Sequence, residues 1–465
     1  MHPLFQQDLQ NIDQLLEQVR QLSSDYLSTI AVKPTGLAQP PTAAFTLPTE
    51  GAGAASAITY FNTYIQPYLV ASSGPRYLGY VTGGGTLAAI AGDWLTSVFD
   101  QNTQNTTGIG DLSAFLEVAT IRMLLDLLQL PDDFYGGFVT GATVSNFTCL
   151  AVARQWVGQQ SGKDIARDGL PFAIDIYSAT PHSSTLKSLA MLGIGSGNII
   201  SVPTLDSREA MDVGALEQLL QQKANKPFIL LCSGGTVNSV DFDDMQAIAR
   251  LKNNYTFWWH IDAAFGGFAA CSPAYAHLLK GWEQADSITI DGHKWLNVPY
   301  DSAVFFTRKA HASLQVQTFQ NTNAPYLGDP SEKFSYLNFL PENSRRFRAL
   351  PAWFTLHAYG KKGYQSVVEH SISMAQLLGE KLEKSGLYIL SAPVWLNVVC
   401  FTTRREENRG ASVQRIVEKL NARGKVFLTP TVYKGVPSLR AAFVNWRTTQ
   451  ADIDLTIEEL LAVYE

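Results

Sequence analysis

Residues 227–264 read PFILLCSGGTVNSVDFDDMQAIARLKNNYTFWWHIDAA, and they contain two short apolar runs on either side of a helical segment. The runs PFILLCS (227–233) and FWWHIDAA (257–264) are short and rich in bulky side chains, whereas DDMQAIARLKNN (243–254) has helical spacing. A strand, a helix and a second strand in this order form a unit whose strands lie parallel. Because both runs are continuously apolar, we predict a sheet that is buried on both faces.

The same alternation extends in both directions along the chain. The other strand-like runs are PFAIDIYSA (171–179), IISVPTL (199–205), SITID (287–291) and SAVFFT (302–307). The segments with helical spacing are 144–157, 183–193 and 213–225. This pattern predicts an α/β domain with a largely parallel sheet. Ligands of such sheets bind at the carboxyl ends of the strands, so residues that follow each run are the candidates for chemistry.

The pattern changes after about Arg345. A long helical region runs through Leu382, and NVVCFTTR (397–404), a helix at 412–424, SLRAAFV (438–444) and a closing helix from about Gln450 follow it. We therefore predict a small C-terminal α+β domain. The predicted parts are an N-terminal helical and extended segment (1–85), a large domain (86–343) and the small domain (344–465).

Composition limits the kind of partner. The chain has 465 residues with 46% hydrophobic and 16% charged residues and a net charge of -6, which excludes a disordered protein and gives no basic surface for nucleic acid or an anionic membrane. No apolar run reaches the roughly 18 residues of a membrane span, and the first 25 residues resemble neither a secretory nor a transit signal. We expect a cytoplasmic protein with a small-molecule ligand.

The four cysteines are scattered in apolar stretches, so we expect buried thiols in a reducing compartment. No His, Cys or Glu cluster has the spacing of a metal site. Apolar residues at helical spacing between Leu4 and Leu22 predict an amphipathic helix that needs a surface to cover it, and a second subunit is one candidate.

Four polar residues follow predicted strands: His182, Thr236, Asp262 and Lys294. A carboxylate at the end of a Trp-rich buried strand is costly without a positive partner, so Asp262 calls for a cation. A lysine at the edge of an apolar site can act as an amine nucleophile toward a carbonyl, which suits Lys294. Read singly, Asp262 could instead cap a strand or pair in a salt bridge, and His182 could precede a helix N-cap.

Pyridoxal phosphate satisfies both residues, because its aldehyde reacts with a lysine and its protonated ring nitrogen pairs with a carboxylate. The turn Thr140–Thr143 consists of small residues and stands directly before a predicted helix, so its amides and the Thr143 hydroxyl could hold the phosphate. His182 could cover the ring.

The chain also resembles the group II pyridoxal-phosphate-dependent decarboxylases, the family of aromatic amino acid, glutamate and histidine decarboxylases. The matching stretches are PRYLGYVTGGG (75–85), GGFVTGATVSNFTCLAVAR (136–154), ATPHSSTLKSLAMLGIG (179–195), HIDAAFGGF (260–268), SITIDGHKWLNVPYD (287–301), SRRFRALPAW (344–353) and LRAAFVNWRTT (439–449). The resemblance implies a fold type I large domain with a mostly parallel seven-stranded sheet, a homodimer, and decarboxylation of an amino acid.

Specific roles follow from the resemblance. It implies that Lys294 forms the Schiff base with the cofactor, that Asp262 pairs with the ring nitrogen, and that His182 is a base stacked on the ring. The implied phosphate contacts are Ala142, Thr143 and His293, and Thr236 matches a position that lines the cofactor pocket. Arg440 resembles an arginine at the active-site mouth or near the substrate carboxylate, although a pairing within the small domain is equally compatible.

The chain departs from the family pattern in two places. Aromatic decarboxylases usually have Asn-Pro-His-Lys where this chain has Asp291-Gly292-His293-Lys294, and because an ionised carboxylate would repel the phosphate we expect Asp291 to point away. In the family, a tyrosine on a mobile loop returns a proton to the substrate carbon. Tyr336 matches it by its distance from the Arg345–Arg346 pair, and Tyr326 is a rival in the segment 321–343.

The predicted function is decarboxylation of an L-amino acid to its amine, with an aromatic or other apolar side chain favoured. Alternatives on the same fold are an aldehyde synthase that works by oxidative deamination and a carbon–carbon lyase that acts on a phosphorylated amine. A protein that binds the cofactor without turnover is another alternative, and a generic α/β binding domain without cofactor is a fourth.

Overall fold

The computed structural model describes residues 1–37, 46–106, 112–223, 226–320 and 334–464. The α-helices in these ranges are α1 (Pro3–Gln10), α2 (Ile12–Thr29), α3 (Ala54–Tyr60), α4 (Leu87–Phe99), α5 (Leu112–Leu127), α6 (Ala142–Gln160), α7 (Ile165–Asp168), α8 (Ser183–Met191), α9 (Val213–Gln221), α10 (Met245–Leu251), α11 (Ala312–Phe319), α12 (Ala349–Lys384), α13 (Arg409–Arg423) and α14 (Gln450–Val463).

A seven-stranded sheet forms the centre of the large domain. Its strands are β1 (Phe134–Val139), β2 (Ile176–Ser178), β3 (Ile199–Ser201), β4 (Phe228–Ser233), β5 (Phe257–Asp262), β6 (Ser287–Asp291) and β7 (Ala303–Arg308). They lie in the order β1-β7-β6-β5-β4-β2-β3, and β7 alone runs antiparallel to its two neighbours. This confirms the predicted mostly parallel sheet, to which the apolar runs in the sequence contributed every strand except β1.

The parallel register places the predicted site residues together. In the pairing of β4 with β5, Ser233 lies opposite Asp262, and in the pairing of β5 with β6, Asp262 lies opposite Thr289. All three strands therefore end at the same edge of the sheet. The loops that follow them carry Thr236, Phe265 and Lys294 to one place.

A second sheet belongs to the C-terminal part of the chain. It is antiparallel, in the order β10-β11-β9-β8, with strands β8 (Tyr388–Leu390), β9 (Val398–Thr403), β10 (Thr429–Tyr433) and β11 (Val436–Ala442). Helices α12 and α13 pack on it and α14 packs against both helices, which confirms the small α+β domain.

Helix α12 contributes residues to two hydrophobic cores, first to that of the large domain and then to that of the small domain. Residues from Phe347 to Ile372 pack in the large core, whereas the buried α12 residues Ala375, Leu378 and Leu382 pack with the small sheet. The change of packing therefore lies inside α12 and later than the predicted boundary at residue 344. A sharp bend divides this helix at Gly360, whose positive φ of 56° suits glycine.

The segment before residue 86 is tied to both domains. Leu78 is buried in the small core, and its amide donates to the carbonyl of Phe427. The amide of Gly83 donates to the carbonyl of His293, and a Cβ at Gly83 would collide with the carbonyl of Lys294. The glycines of the TGGG motif thus allow this segment to pass directly over the lysine turn.

The N-terminal apolar stretch folds as two helices, α1 and α2, instead of the single helix that we predicted. Neither helix contains a buried residue, and the side chains of Phe5, Leu9 and Leu16 are 68%, 67% and 55% exposed. Their apolar face is uncovered in the single chain. Within the described ranges, no helix is both long and apolar enough to cross a membrane.

Candidate active site

A cavity of about 470 Å³ lies at the carboxyl ends of β2, β4, β5 and β6. Residues after each of these strands line it, together with the N-terminus of α6, the segment around Tyr80 and one residue of the small domain. The lining side chains include Tyr80, Ala142, His182, Glu209, Thr236, Asp262, Phe265, Lys294 and Arg440. The edge of the sheet that the strand order identified is therefore the site.

Lys294 lies on the turn after β6 and faces the cavity. Its Nζ is 5.5 Å from the centre of the Phe265 ring, and its side chain is 15% exposed. A primary amine next to an aromatic face and open to a cavity is placed to react with a carbonyl group.

Asp291 lies beside this amine, and its expected orientation away from the phosphate stays a prediction. Its Oδ2 is 3.3 Å from Lys294 Nζ and its Oδ1 is 2.8 Å from Nδ1 of His293. A buried carboxylate is stable only beside compensating groups, and the ammonium group of Lys294 supplies that compensation. The His293 ring stacks on Tyr300 with 4.2 Å between centroids, and its Nδ1 is also 3.2 Å from the carbonyl of Ser302.

Asp262 is the last residue of β5, and hydrogen bonds from the protein hold its carboxylate in place. Its Oδ2 accepts from Asn146 Nδ2 at 2.9 Å and from Thr185 Oγ1 at 3.3 Å. Its Oδ1 accepts from the amide of Ala264 at 3.3 Å. The carboxylate lines the cavity and is held by two helices, α6 and α8, so its position is fixed from behind.

His182 lies between β2 and α8 and combines the two roles that we weighed. Its Nδ1 accepts from the amide of Ser184 at 3.2 Å, so the side chain caps α8, and the ring also lines the cavity. Burial lowers the pKa of His182, which keeps the ring neutral near pH 7. With Nδ1 as acceptor, the proton of the neutral ring is on Nε2.

The N-terminus of α6 supplies a place for an anion. The helix begins at Ala142, which lines the cavity, and the first amides of a helix have no partner within it. A Cβ added at Gly141, just before the helix, would meet nothing within 4 Å, so there is open space at this end. Thr143 lies in the same turn, and its carbonyl accepts from Ser188 Oγ at 3.0 Å.

Residues 44–404 match the pyridoxal-dependent decarboxylase conserved domain. The chain belongs to this family.

Relatives of this decarboxylase include enzymes with different products. It is 27% identical over 431 residues to an aromatic-L-amino-acid decarboxylase of Bacillus atrophaeus, which covers 90% of this chain and 87% of that protein. It is 29% identical over 368 residues to an aromatic-L-amino-acid decarboxylase of Drosophila lebanonensis, with coverage of 75% and 88%. It is also 26% identical over 407 residues to a phenylacetaldehyde synthase of a Rosa hybrid cultivar, with coverage of 82% and 78%.

Solved structures share the fold of this decarboxylase. The structure of Oryza sativa TDC with PLP and tryptamine superposes with a TM-score of 0.89 at 24% identity, covering 100% of this chain and 99% of the other. Mouse CSAD gives a TM-score of 0.87 at 21% identity, covering 98% and 99%. These likenesses confirm the predicted fold type I architecture.

The cofactor of this decarboxylase is pyridoxal phosphate, and the cavity fits it. Lys294 presents an amine, Asp262 lines the cavity with an Oδ1 that accepts from one backbone amide, and the start of α6 offers amides beside open space. The residues that would hold the cofactor are thus Lys294 for the aldehyde, Asp262 for the ring nitrogen, His182 for the ring face, and Ala142 and Thr143 for the phosphate.

Thr236 lines the cavity, but its hydroxyl serves the protein. It donates to Oε2 of Glu209 at 2.6 Å and accepts from the amide of Asp241 at 2.9 Å. Glu209 also accepts from Ser239 and from Asn238. The hydroxyl of Thr236 therefore fixes the loop after β4, and the residue meets the cavity by its remaining surface.

Tyr336 is not placed to act on a substrate, which corrects the role that we assigned to it. Among the described residues, those that line the cavity do not include it. Its side chain is fully buried, its hydroxyl donates to the carbonyl of Gly136 at 3.2 Å, and the Arg345 guanidinium lies 4.5 Å from its ring centre. The count from the arginine pair thus led to a core residue. Tyr326 lies outside the described residues.

Several site residues escaped the sequence analysis. Asn146 and Thr185 hold Asp262, and Glu209 holds the loop after β4. Spacing could have indicated the first two, because Asn146 lies one helical turn after Ala142 and Thr185 one turn after His182. Arg440, on β11, does line the cavity and donates to the carbonyl of Val237 at 3.4 Å.

Proposed function

We propose that this enzyme removes the α-carboxylate of an L-amino acid with an aromatic or other apolar side chain, giving the amine and carbon dioxide. One observation carries the proposal: the Lys294 amine and the Asp262 carboxylate line the same cavity, and the neutral His182 ring lines it too. The apolar side chains of Tyr80, Val81 and Phe265 on the cavity wall favour an apolar substrate. Two relatives named above are aromatic amino acid decarboxylases, which supports the same substrate class.

The bound cofactor supplies the electron sink that accepts the electron pair released when the bond between Cα and the carboxylate breaks. Asp262, held by Asn146 and Thr185, would place its carboxylate beside the protonated, positively charged ring nitrogen of the bound cofactor. The Lys294 amine would hold the cofactor through its aldehyde.

A proton must then reach Cα to complete the amine. Of the two groups that we considered within the described residues, His182 lines the cavity and Tyr336 does not. We propose that Nε2 of His182 relays this proton to Cα, either directly or through water, and that solvent entering the cavity returns a proton to Nε2 so that the ring stays neutral. Arg440, whose buried Nε has no hydrogen-bond partner among the described residues, is proposed to face the substrate from the small-domain side.

The proposed working unit is a homodimer in the cytoplasm. The uncovered apolar face of α1 and α2 favours a second copy of the chain as its cover. The four cysteines are all buried and free, which suits a reducing compartment.

The test is mass spectrometry of the products after the cofactor-loaded enzyme is incubated with each common L-amino acid. A Lys294→Ala variant, which lacks the reacting amine, is the control. We expect an amine from an aromatic or apolar amino acid with wild type and none with the variant. An aldehyde would instead place the enzyme with the synthase of the Rosa relative, and a coloured protein without any product would contradict turnover.

A further inference from the structure

A continuous chain of hydrogen bonds runs through the core behind the cofactor site. It begins at Trp258, whose Nε1 donates to Ser287 Oγ at 2.9 Å. Ser287 Oγ is 2.9 Å from Nδ1 of His260, and Nε2 of His260 is 2.9 Å from Oδ1 of Asn146. Asn146 Nδ2 then donates to Asp262 Oδ2 at 2.9 Å. The four residues before Asp262 are fully buried.

The direction of every bond in this network follows from its last member. A carboxylate can only accept, so Asn146 turns its NH₂ group toward Asp262 and its Oδ1 toward His260. The His260 ring therefore donates from Nε2 to Asn146 Oδ1, and its Nδ1 accepts from Ser287 Oγ. Ser287 Oγ accepts in turn from Trp258, whose indole nitrogen can only donate. Burial lowers the pKa of His260, against the opposing effect of Asp262, so the ring is neutral and has one proton to donate.

The chain forks at Asn146 and reaches the second cofactor-facing residue. Asn146 Nδ2 also donates to Ser184 Oγ at 3.2 Å. Ser184 Oγ is 2.7 Å from Nδ1 of His182 and donates to it, since that nitrogen is already the acceptor that caps α8. One buried network of hydrogen bonds therefore supplies donors to both Asp262 and His182.

Such a chain is costly to bury unless it is complete. A buried polar group without a partner destabilises the fold, whereas aligned hydrogen bonds in a medium of low dielectric polarise and strengthen one another. Here every polar side-chain atom of Trp258, Ser287, His260 and Asn146 has a partner. An apolar cluster would fill the same space more cheaply, so packing alone does not account for the chain.

We propose that Trp258, Ser287, His260 and Asn146 form a positioning network that fixes the hydrogen-bond polarity of Asp262 and His182 toward the cofactor. None of the four needs to touch the cofactor. With Oδ2 of Asp262 taken by Asn146 and Thr185, the oxygen left for the ring nitrogen is Oδ1. If the Asn146 amide turned over, its oxygen would face Oδ2 and repel it.

The test compares two replacements of His260 that separate ring shape from hydrogen bonding. His260→Phe keeps the aromatic volume and removes both nitrogens, whereas His260→Gln has an amide that can donate to Asn146 and accept from Ser287. The readouts are the dissociation constant of pyridoxal phosphate, from titration of the cofactor-free enzyme, and the visible absorbance of the bound cofactor. Asp262→Asn marks the limit in which the charge itself is lost.

We expect His260→Phe to weaken cofactor binding about tenfold and to move the absorbance spectrum toward that of Asp262→Asn, with His260→Gln close to wild type. A role in packing predicts the reverse order, because phenylalanine fills the ring space better than glutamine. Equal behaviour of the two variants, or a smaller effect of His260→Phe, would overturn the proposal.

Two further variants serve as a matched control and as a substitute for His260→Phe. His311→Phe is the matched control, since the His311 ring packs against Trp258 at 4.5 Å between centroids, with the ring planes tilted by 37°, but bonds to Asp286 outside the network. It should leave binding and spectrum unchanged, and a shift as large as that of His260→Phe would contradict the network. If His260→Phe does not fold, Trp258→Phe removes only the first donor and should shift both readouts in the same direction by a smaller factor; no shift in that variant would also overturn the proposal.

The inference rests on the cofactor site and not on the substrate. If the wild type binds pyridoxal phosphate but makes no amine, the proposed reaction is wrong, and the comparison of the His260 variants still holds. Wild type that fails to bind the cofactor would overturn the network together with the site.

Discussion

His182 shows how one side chain can serve the fold and the chemistry at once. Its Nδ1 caps α8 by accepting from the amide of Ser184, and its ring lines the cavity. Because the cap occupies Nδ1, the nitrogen left for a substrate is Nε2, and it carries the proton. A histidine that followed a strand without this cap could adopt either tautomer.

The pH dependence of kcat/KM should reveal this arrangement. Burial lowers the pKa of His182, so the ring stays neutral as the pH falls past the ordinary histidine value of about 6.5. If Nδ1 of His182 were protonated at lower pH, its N–H would face the amide N–H of Ser184, and the two donors would repel each other. We therefore expect an acid limb below pH 6.5 in wild type that is absent in His182→Gln. A limb at or above 6.5, or one retained in the variant, would contradict the assignment.

Tyr336→Phe should separate a core role from a catalytic one. The variant loses the hydrogen bond from the hydroxyl to the carbonyl of Gly136, so the free energy of unfolding should fall by about 1 kcal/mol. The kcat should stay within about twofold of wild type, because the side chain is buried away from the cavity lining. Denaturant unfolding and steady-state kinetics check both. A variant that kept its cofactor and stability but lost turnover would restore Tyr336 to the mechanism.

A buried ion pair joins α5, β1 and the segment before α12. Arg345 Nη2 donates to Glu117 Oε1 at 2.7 Å and to the carbonyl of Phe138 at 2.7 Å, and both charged side chains are fully buried. The amide of Phe138 also donates to Glu117 Oε1 at 2.8 Å. The charges of Arg345 and Glu117 therefore hold α5, β1 and the segment before α12 together. This explains why the Arg345–Arg346 motif has a structural role.

Glu117→Gln leaves Arg345 buried without its counter-charge, so we expect the free energy of unfolding to fall by about 3 kcal/mol. The matched control is Asp93→Asn, which breaks the neighbouring pair between Arg346 and Asp93. Those side chains are 34% and 24% exposed, and the loss there should be below about 1 kcal/mol. Urea unfolding of both variants measures the difference, and equal losses would refute the structural role of burial.

Among the described residues, the apolar side chains of α1 and α2 form an exposed surface on the whole molecule. Exposed apolar patches of this kind mark interaction sites, and a second copy of the chain is the proposed cover. A double variant Leu9→Glu and Leu16→Glu should place charges in that interface. Sedimentation should then give the single-chain mass of 51.0 kDa where wild type gives twice that value.

The control for this experiment adds the same charge beside the patch. Gln7→Glu and Gln14→Glu lie on exposed positions of the same helices and should leave the mass of the dimer unchanged. Wild type that sediments as a single chain would refute the dimer. Dissociation of the control variant would show that net charge, and not the apolar face, governs association.

Much of the fold was predictable from local patterns. Continuous apolar runs separated by helical segments identify buried parallel strands, because a strand covered on both faces has no polar positions to alternate with. The strand β1 escaped, since its glycines and its place at the sheet edge give a weaker pattern. The end of the large core within α12 escaped too, because a helix that packs on two cores in succession has no local signal where it passes from one to the other.

Fold class and family were predictable from the sequence, and so was the meeting of Lys294, Asp262, His182 and Ala142 at one cavity, because these depend on short motifs and on the rule that strand ends share one edge. The side chains that complete the site emerge from the folded structure alone. Asn146, His260 and Ser287 meet behind Asp262 from three different elements, and Tyr336 turns into the core although its position in the chain suggested otherwise. Contacts between residues far apart in the chain, and the direction of their hydrogen bonds, follow from packing and leave no local pattern in the sequence.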